Sequence, residues 1–208
     1  MIIARTTFRL KFGQAKPAIA LWKEIMDHSK GNENSRPMRL LSDMSGPNYT
    51  IVMDLHLRGF TDLGLANHMW TTDPQIRELY PKFVQLCDGS DSEMYHVEHE
   101  VGDTELPVNS VVEQMTFSLK FGSAKEGCSI WRQILDRAKS SGLHLRLFTD
   151  ITGRSYTLIM EQHHRNMLEY GPHQHAWLTN EELRELYKQF VPLCDHSHRT
   201  LYKLEHRV

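Results

Sequence analysis

The sequence has no cysteine framework. Its three cysteines, Cys87, Cys128 and Cys194, are odd in number and lack a C-x-x-C spacing, which fits reduced thiols rather than disulfides or a zinc knuckle. It has no apolar run near the ~18 residues that a membrane span needs, and MIIARTTFRLKFGQ reaches Arg5 before a signal-peptide core can form. The expectation is a cytoplasmic protein with no membrane partner. Excess charge is missing too: 24 Lys and Arg stand against 26 Asp and Glu, a formal net charge of −2, so bulk electrostatics supply no reason for a nucleic-acid partner. No P-loop, dinucleotide fingerprint, nucleophile elbow or H-E-x-x-H occurs. No cofactor and no metal ligand is therefore assigned, although the chain holds 13 histidines, among them His163, His164, His173, His175, His196 and His198.

What is present is a repeat. FRLKFGQAK from Phe8 returns as FSLKFGSAK from Phe117 at an offset of 109, and Trp22, Ile25 and Asp27 meet Trp131, Ile134 and Asp136. Beyond a connection two residues longer in the first copy, the offset is 107. Arg39, Asp43, Gly46, Tyr49 and Thr50 then match Arg146, Asp150, Gly153, Tyr156 and Thr157, and His68, Trp70, Cys87 and His99 match His175, Trp177, Cys194 and His206. Matches spread over the full length mean tandem duplication. The two repeats are placed at 1–100 and 111–208, with 101–110, rich in Gly, Pro, Asn and Ser, as the linker.

Each copy reads the same way. Phe8, Leu10 and Phe12 alternate with polar residues, as do Phe117, Leu119 and Phe121, which is the period of a half-buried strand. Ile19, Trp22, Ile25 and Met26, mirrored by Cys128, Trp131, Ile134 and Leu135, recur at helical spacing. Strands around Leu40–Met44 and Tyr49–His56 are joined by SGPN in one copy and TGRS in the other, giving a hairpin. Thr72 with Gln75, and Thr179 with Glu182, have capping-box spacing and start a second helix. A last strand follows from Met94 to His99. The order β-α-β-β-α-β, twice, is the ferredoxin-like unit, and a unit with helices on one sheet face needs a partner for the other. The expected fold class is α+β, two tandem ferredoxin-like repeats whose bare faces meet around a lumen as one intrachain barrel.

Element order, duplication and the Phe8–Lys16 opening with Trp22 beyond it resemble the dimeric α+β barrel superfamily. Its members include antibiotic-biosynthesis-type monooxygenases, NIPSNAP-like proteins and, as fused duplicates, the chlorite dismutase group. The resemblance implies the fold and a small-molecule ligand; activity has to come from the site.

Strand alternation nominates that site. With Ile51, Met53, Leu158 and Met160 under the helices, Asp54 and His56, and Glu161 and His163, share the opposite face. A carboxylate two residues from an imidazole can orient it as a general base, so Asp54, His56, Glu161 and His163 are the candidate catalytic residues. Arg39 and Arg146 share that face and are candidates for holding a ligand oxyanion; alternatively, they simply pair with the two carboxylates. Glu98 and Glu205 fall on either face according to the register of the last strand. His68, Trp70, His175 and Trp177, placed in the connection before the second helix, are candidates for gripping a flat ligand. Three functions stay open: a small-molecule barrel, including a cofactor-independent monooxygenase or isomerase-like enzyme; a haem or metal protein; and an interaction protein with a packed lumen. Self-association is left open.

Overall fold

The computed structural model describes residues 1–208. The first copy comprises β1 (Ile2–Leu10), α1 (Ala15–Ser29), β2 (Met38–Ser45), β3 (Thr50–Leu57), α2 (Phe60–Thr72), α3 (Pro74–Val84) and β4 (Cys87–Val101). The second comprises β5 (Val111–Leu119), α4 (Ala124–Ala138), β6 (His144–Asp150), β7 (Thr157–His164), α5 (Met167–Thr179), α6 (Glu181–Phe190) and β8 (Cys194–Arg207). The strands are hydrogen bonded in the order β1-β3-β2-β8-β5-β7-β6-β4 as a closed barrel. Two compact units divide the chain, residues 1–94 with 204–208, and residues 95–203.

In the first unit β1 and β2 flank β3 antiparallel, with Arg5 and Arg39 both opposite Asp54. The helix-facing side of this sheet carries Phe8, Leu10, Leu40, Ile51, Met53, Leu55 and Leu57, which pack on Trp22, Ile25 and Met26 of α1 and on Ile76, Leu79 and Phe83 of α3. The second unit repeats this layer with Phe117, Leu119, Leu145, Leu147, Leu158 and Met160 against Trp131, Ile134, Leu183 and Phe190. Residues retained in both copies explain the hairpins. Asp43 Oδ1 accepts from Thr50 N at 2.7 Å and Asp150 Oδ1 from Thr157 N at 2.9 Å, while Tyr49 and Tyr156 take positive φ values of 61° and 62°.

Four features differ from the sequence expectation. Phe12 and Phe121, read as part of the first strand of each copy, lie beyond the ends of β1 and β5 and are exposed, because Gly13 and Gly122 turn the chain there. Residues 60–72 and 167–179, read as connections, are helices α2 and α5, so His68, Trp70, His175 and Trp177 stand on helices. Their apolar residues do not form a stripe: α2 buries only Asp62, Ala66 and Met69, and α5 buries none, which removes the periodic signal a surface helix normally shows. The capping residues are also shifted by one. Asp73 accepts from the backbone of Gln75 and Ile76, and Asn180 accepts from Leu183, whereas the Thr72 and Thr179 hydroxyls donate to His68 O and His175 O within the preceding helices. The last strand begins earlier than Met94, at Cys87, and a register shift between Val97 and His99 breaks its alternation. Glu98 accordingly reaches Arg132 of α4, and Glu205 accepts from Ser42 at 3.0 Å and pairs with Lys23 of α1 at 3.4 Å.

At the start of α2, Asp62 Oδ2 accepts from Arg58 N at 2.9 Å, and Oδ1 lies 2.9 Å from Arg36 Nη2. The Arg58 amide and the guanidinium groups of Arg36 and Arg58 hold its pKa at about 2, against an ordinary 3.8. A folded-state pKa below the unfolded one means stabilisation that is present above pH 3.8 and is lost as pH falls toward 2. Acid titration of unfolding free energy over that window should therefore show a shallower decline in Asp62→Asn than in the wild type, and parallel curves would rule out the clamp.

Candidate functional site

The sequence-nominated groups on the face away from the helices form two different arrangements. In the first unit Asp54 is fully buried and accepts Arg5 Nε at 2.7 Å and Arg5 Nη2 at 2.8 Å. Arg39 reaches the same carboxylate through Nε at 2.7 Å and Nη2 at 2.6 Å. This is a buried carboxylate held by two guanidinium groups. His56, half-buried, has its backbone N–H on Pro37 O. In the second unit Arg146 Nε donates to Glu100 Oε2 at 2.6 Å and Nη2 donates to Thr104 Oγ1 at 2.6 Å. Glu161 and His163, both buried, are 3.4 Å apart. Arg39 and Arg146 are thus engaged with protein carboxylates.

The tryptophans repeated in both copies ahead of α3 and α6 lie on the other side of the sheet. Trp70 packs on Trp22 and Tyr80 with ring centroids 5.4 and 6.0 Å apart. Trp177 packs on Trp131 at 6.1 Å and donates its indole N–H to Gln162 Oε1 at 2.7 Å. The neighbouring His68 and His175 are exposed.

Trp177 also lines a cavity of about 320 Å³ in the second unit. Its wall is apolar where Met115, Trp131, Met160, Leu183 and Tyr187 meet, and Arg184, Lys188 and Arg199 bring positive charge to it. Burial pushes the Tyr187 phenol up, so the ring stays neutral. Two polar groups stand in this apolar lining with almost no exposure, Glu113 and Gln162, which face each other across the β5–β7 ladder. The Trp177 indole can only donate, which fixes Gln162 Oε1 as the acceptor and leaves the buried Gln162 Nε2 without a partner. Glu113 Oε2 accepts from Gln174 Nε2 at 2.8 Å, and Oε1 lies 3.0 Å from Arg199 Nε and 3.4 Å from the Tyr170 hydroxyl.

A buried carboxylate and an open amide donor in an apolar cavity are the features by which a binding site positions a small ligand. Sequence reading missed Glu113 and Gln162 because it followed what the two copies share. At the same offsets the first copy has Ala4 and Leu55, and Leu57, Leu63 and Ala66 stand where the second has His164, Tyr170 and His173. Those first-copy residues pack into the core. A scan for apolar-to-polar differences between the copies would have marked the site.

No set of three or more His, Cys, Asp or Glu side chains is arranged to hold a metal ion, and no helix is long and apolar enough to cross a membrane.

Neither family models nor curated sequences give a match. Solved structures do. A candidate monooxygenase of Fusobacterium nucleatum superimposes with a TM-score of 0.79 at 13% identity, over 99% of this chain and 93% of its own. One from Lactobacillus acidophilus gives 0.77 at 10% identity, over 100% and 95%. An anthrone oxidase-like protein gives 0.73 at 10% identity, over 100% and 92%. The chain has the tandem dimeric α+β barrel fold, α+β with two ferredoxin-like repeats.

Proposed function

We propose that the cavity of the second unit binds a small, flat, partly apolar molecule carrying an enolisable or phenolic group, and that Glu113 accepts its proton. The observation that carries this reading is the fully buried Glu113 carboxylate beside the apolar part of the cavity wall, at a position where the duplicate has alanine. Trp177 and Tyr187 supply flat surfaces for an aromatic body, and the free Gln162 amide can donate to a ligand oxygen. Loss of the proton leaves the electron pair on the ligand as an enolate or phenolate. Arg199, beside Glu113, favours that negative charge. Reprotonation at another carbon gives an isomerase step, and reaction with dioxygen gives an oxygenase step; neither requires a bound organic cofactor. The descriptions of proteins with this fold as candidate monooxygenases and as anthrone oxidase-like support the second.

Anthrone, an enolisable ketone between two aromatic rings, is a direct probe. It should quench tryptophan fluorescence through Trp131 and Trp177 and raise oxygen uptake. Glu113→Gln keeps size and polarity and should leave quenching intact while lowering uptake about a hundredfold, the scale of a lost general base. Equal uptake by both proteins would remove Glu113 from the mechanism. The pair His163 and Glu161 is the competing base; His163→Gln should leave uptake within about twofold of the wild type, since a general base that is bypassed contributes nothing to the barrier.

A further inference from the structure

Glu113 does not stand alone. His164, fully buried at the end of β7, places Nε2 3.6 Å from Glu113 Oε2. Its other nitrogen, Nδ1, lies 2.8 Å from Nδ1 of His173 on α5, and His173 is only half-buried. Carboxylate, imidazole and imidazole form a row from the cavity wall to the surface. All three positions are apolar in the other copy, Ala4, Leu57 and Ala66. Neither histidine lines the cavity, so ligand contact does not explain their presence, and they lie on two different elements that meet only in the folded chain.

We propose that His164 and His173 are the route by which Glu113 exchanges its proton with solvent while a ligand fills the cavity. The inference rests on Glu113 being the acid–base group of that cavity. With Glu113 ionised, His164 carries its proton on Nε2, toward the carboxylate, and His173 donates its Nδ1–H to His164 Nδ1. Inward transfer begins when water protonates His173 Nε2. The N–H bond at His173 Nδ1 then breaks as one forms at His164 Nδ1, and the N–H bond at His164 Nε2 breaks as an O–H bond forms at Glu113 Oε2. One proton has entered, both rings are neutral again with their tautomers exchanged, and no electrons have moved. The reverse sequence carries a proton out.

The groups facing this row are Glu169 on α5, His144 on β6, and Tyr170 and Arg199 around Glu113. Burial and the adjacent His164 hold His173 below the usual imidazole range, which favours its neutral form between proton transfers.

The test uses full-length Glu113→Gln protein without ligand, because a glutamine cannot carry a proton between the cavity and His164. Proton exchange with water at His164 Nδ1, the nitrogen that His173 faces, read by nitrogen-15 NMR, should then run through His173. Adding His173→Leu should slow that exchange at least about tenfold, whereas unfolding of the region would speed it. Adding His175→Leu, an exposed histidine on the same helix, should leave it unchanged. Exchange that is as fast without His173 overturns the route. A failed route leaves the oxygen-uptake comparison of wild type and Glu113→Gln standing, and failure of that comparison leaves the exchange measurement readable.

Discussion

Asp54→Asn should destabilise the protein by about 3–5 kcal/mol, the cost of breaking a buried ion pair by removing one partner. Asp54 is fully buried, and the Arg5 and Arg39 guanidinium groups on it are 5% and 7% exposed. Four donor contacts between 2.6 and 2.8 Å converge on its two oxygens. The asparagine keeps the shape and one carbonyl acceptor but leaves two positive charges in a site built around a negative one. The urea midpoint reads the loss. A companion variant, Arg5→Met, Arg39→Met and Asp54→Leu together, removes all three charges and should fall within about 1 kcal/mol of the wild type if the site repacks, because desolvation of the ions offsets most of their attraction. If Asp54→Asn also fell within that range, the triad would not contribute to stability. The same result bears on chemistry, because a carboxylate already matched by two guanidinium groups has little capacity left to tune His56.

Trp22→Ala and Trp131→Ala are matched substitutions with different consequences. Each tryptophan is 1% exposed and sits in a cage of rings. Trp22 contacts Phe8, Trp70 and Phe83 with centroids 5.5, 5.4 and 5.3 Å apart; Trp131 contacts Phe117, Trp177 and Phe190 at 5.4, 6.1 and 5.5 Å. Either truncation should cost about 3–5 kcal/mol through lost burial and the void left behind. Only Trp131 also lines the cavity. Anthrone binding, followed in the cold where both variants are folded, should therefore survive Trp22→Ala and weaken in Trp131→Ala. Loss of binding in both would place the ligand elsewhere.

Conservation between the copies and function part company at particular residues. Asp43, Gly46, Tyr49 and Thr50 are repeated as Asp150, Gly153, Tyr156 and Thr157 because each hairpin needs its side-chain-to-backbone bond and its positive φ. Trp22 and Trp131 are repeated because each helical layer needs a large ring at its centre. Such matches report a fold built twice. Glu113, Gln162, His164 and His173 have no match, since one layer is packed shut with Ala4, Leu55, Leu57 and Ala66 while the other is opened and made polar.

The sequence alone determined the repeat, the order of its four strands with one helix after the first and one before the last, and the alternating faces of the central parts of β1, β3, β5 and β7, because a period of two and a retained hairpin are properties of neighbouring residues. It did not show α2 and α5 as helices, because they lie against the rest of the unit without an apolar stripe of their own, and only α5 has a side-chain cap, Asn166. Nor did it show that Glu113 meets His164, and His164 meets His173. Periodicity assigns a side chain to a face but names no partner across the ladder. Only the antiparallel pairing of β5 with β7, Val111 opposite His164 and Glu113 opposite Gln162, with α5 folded back over both, brings those groups within reach of one another.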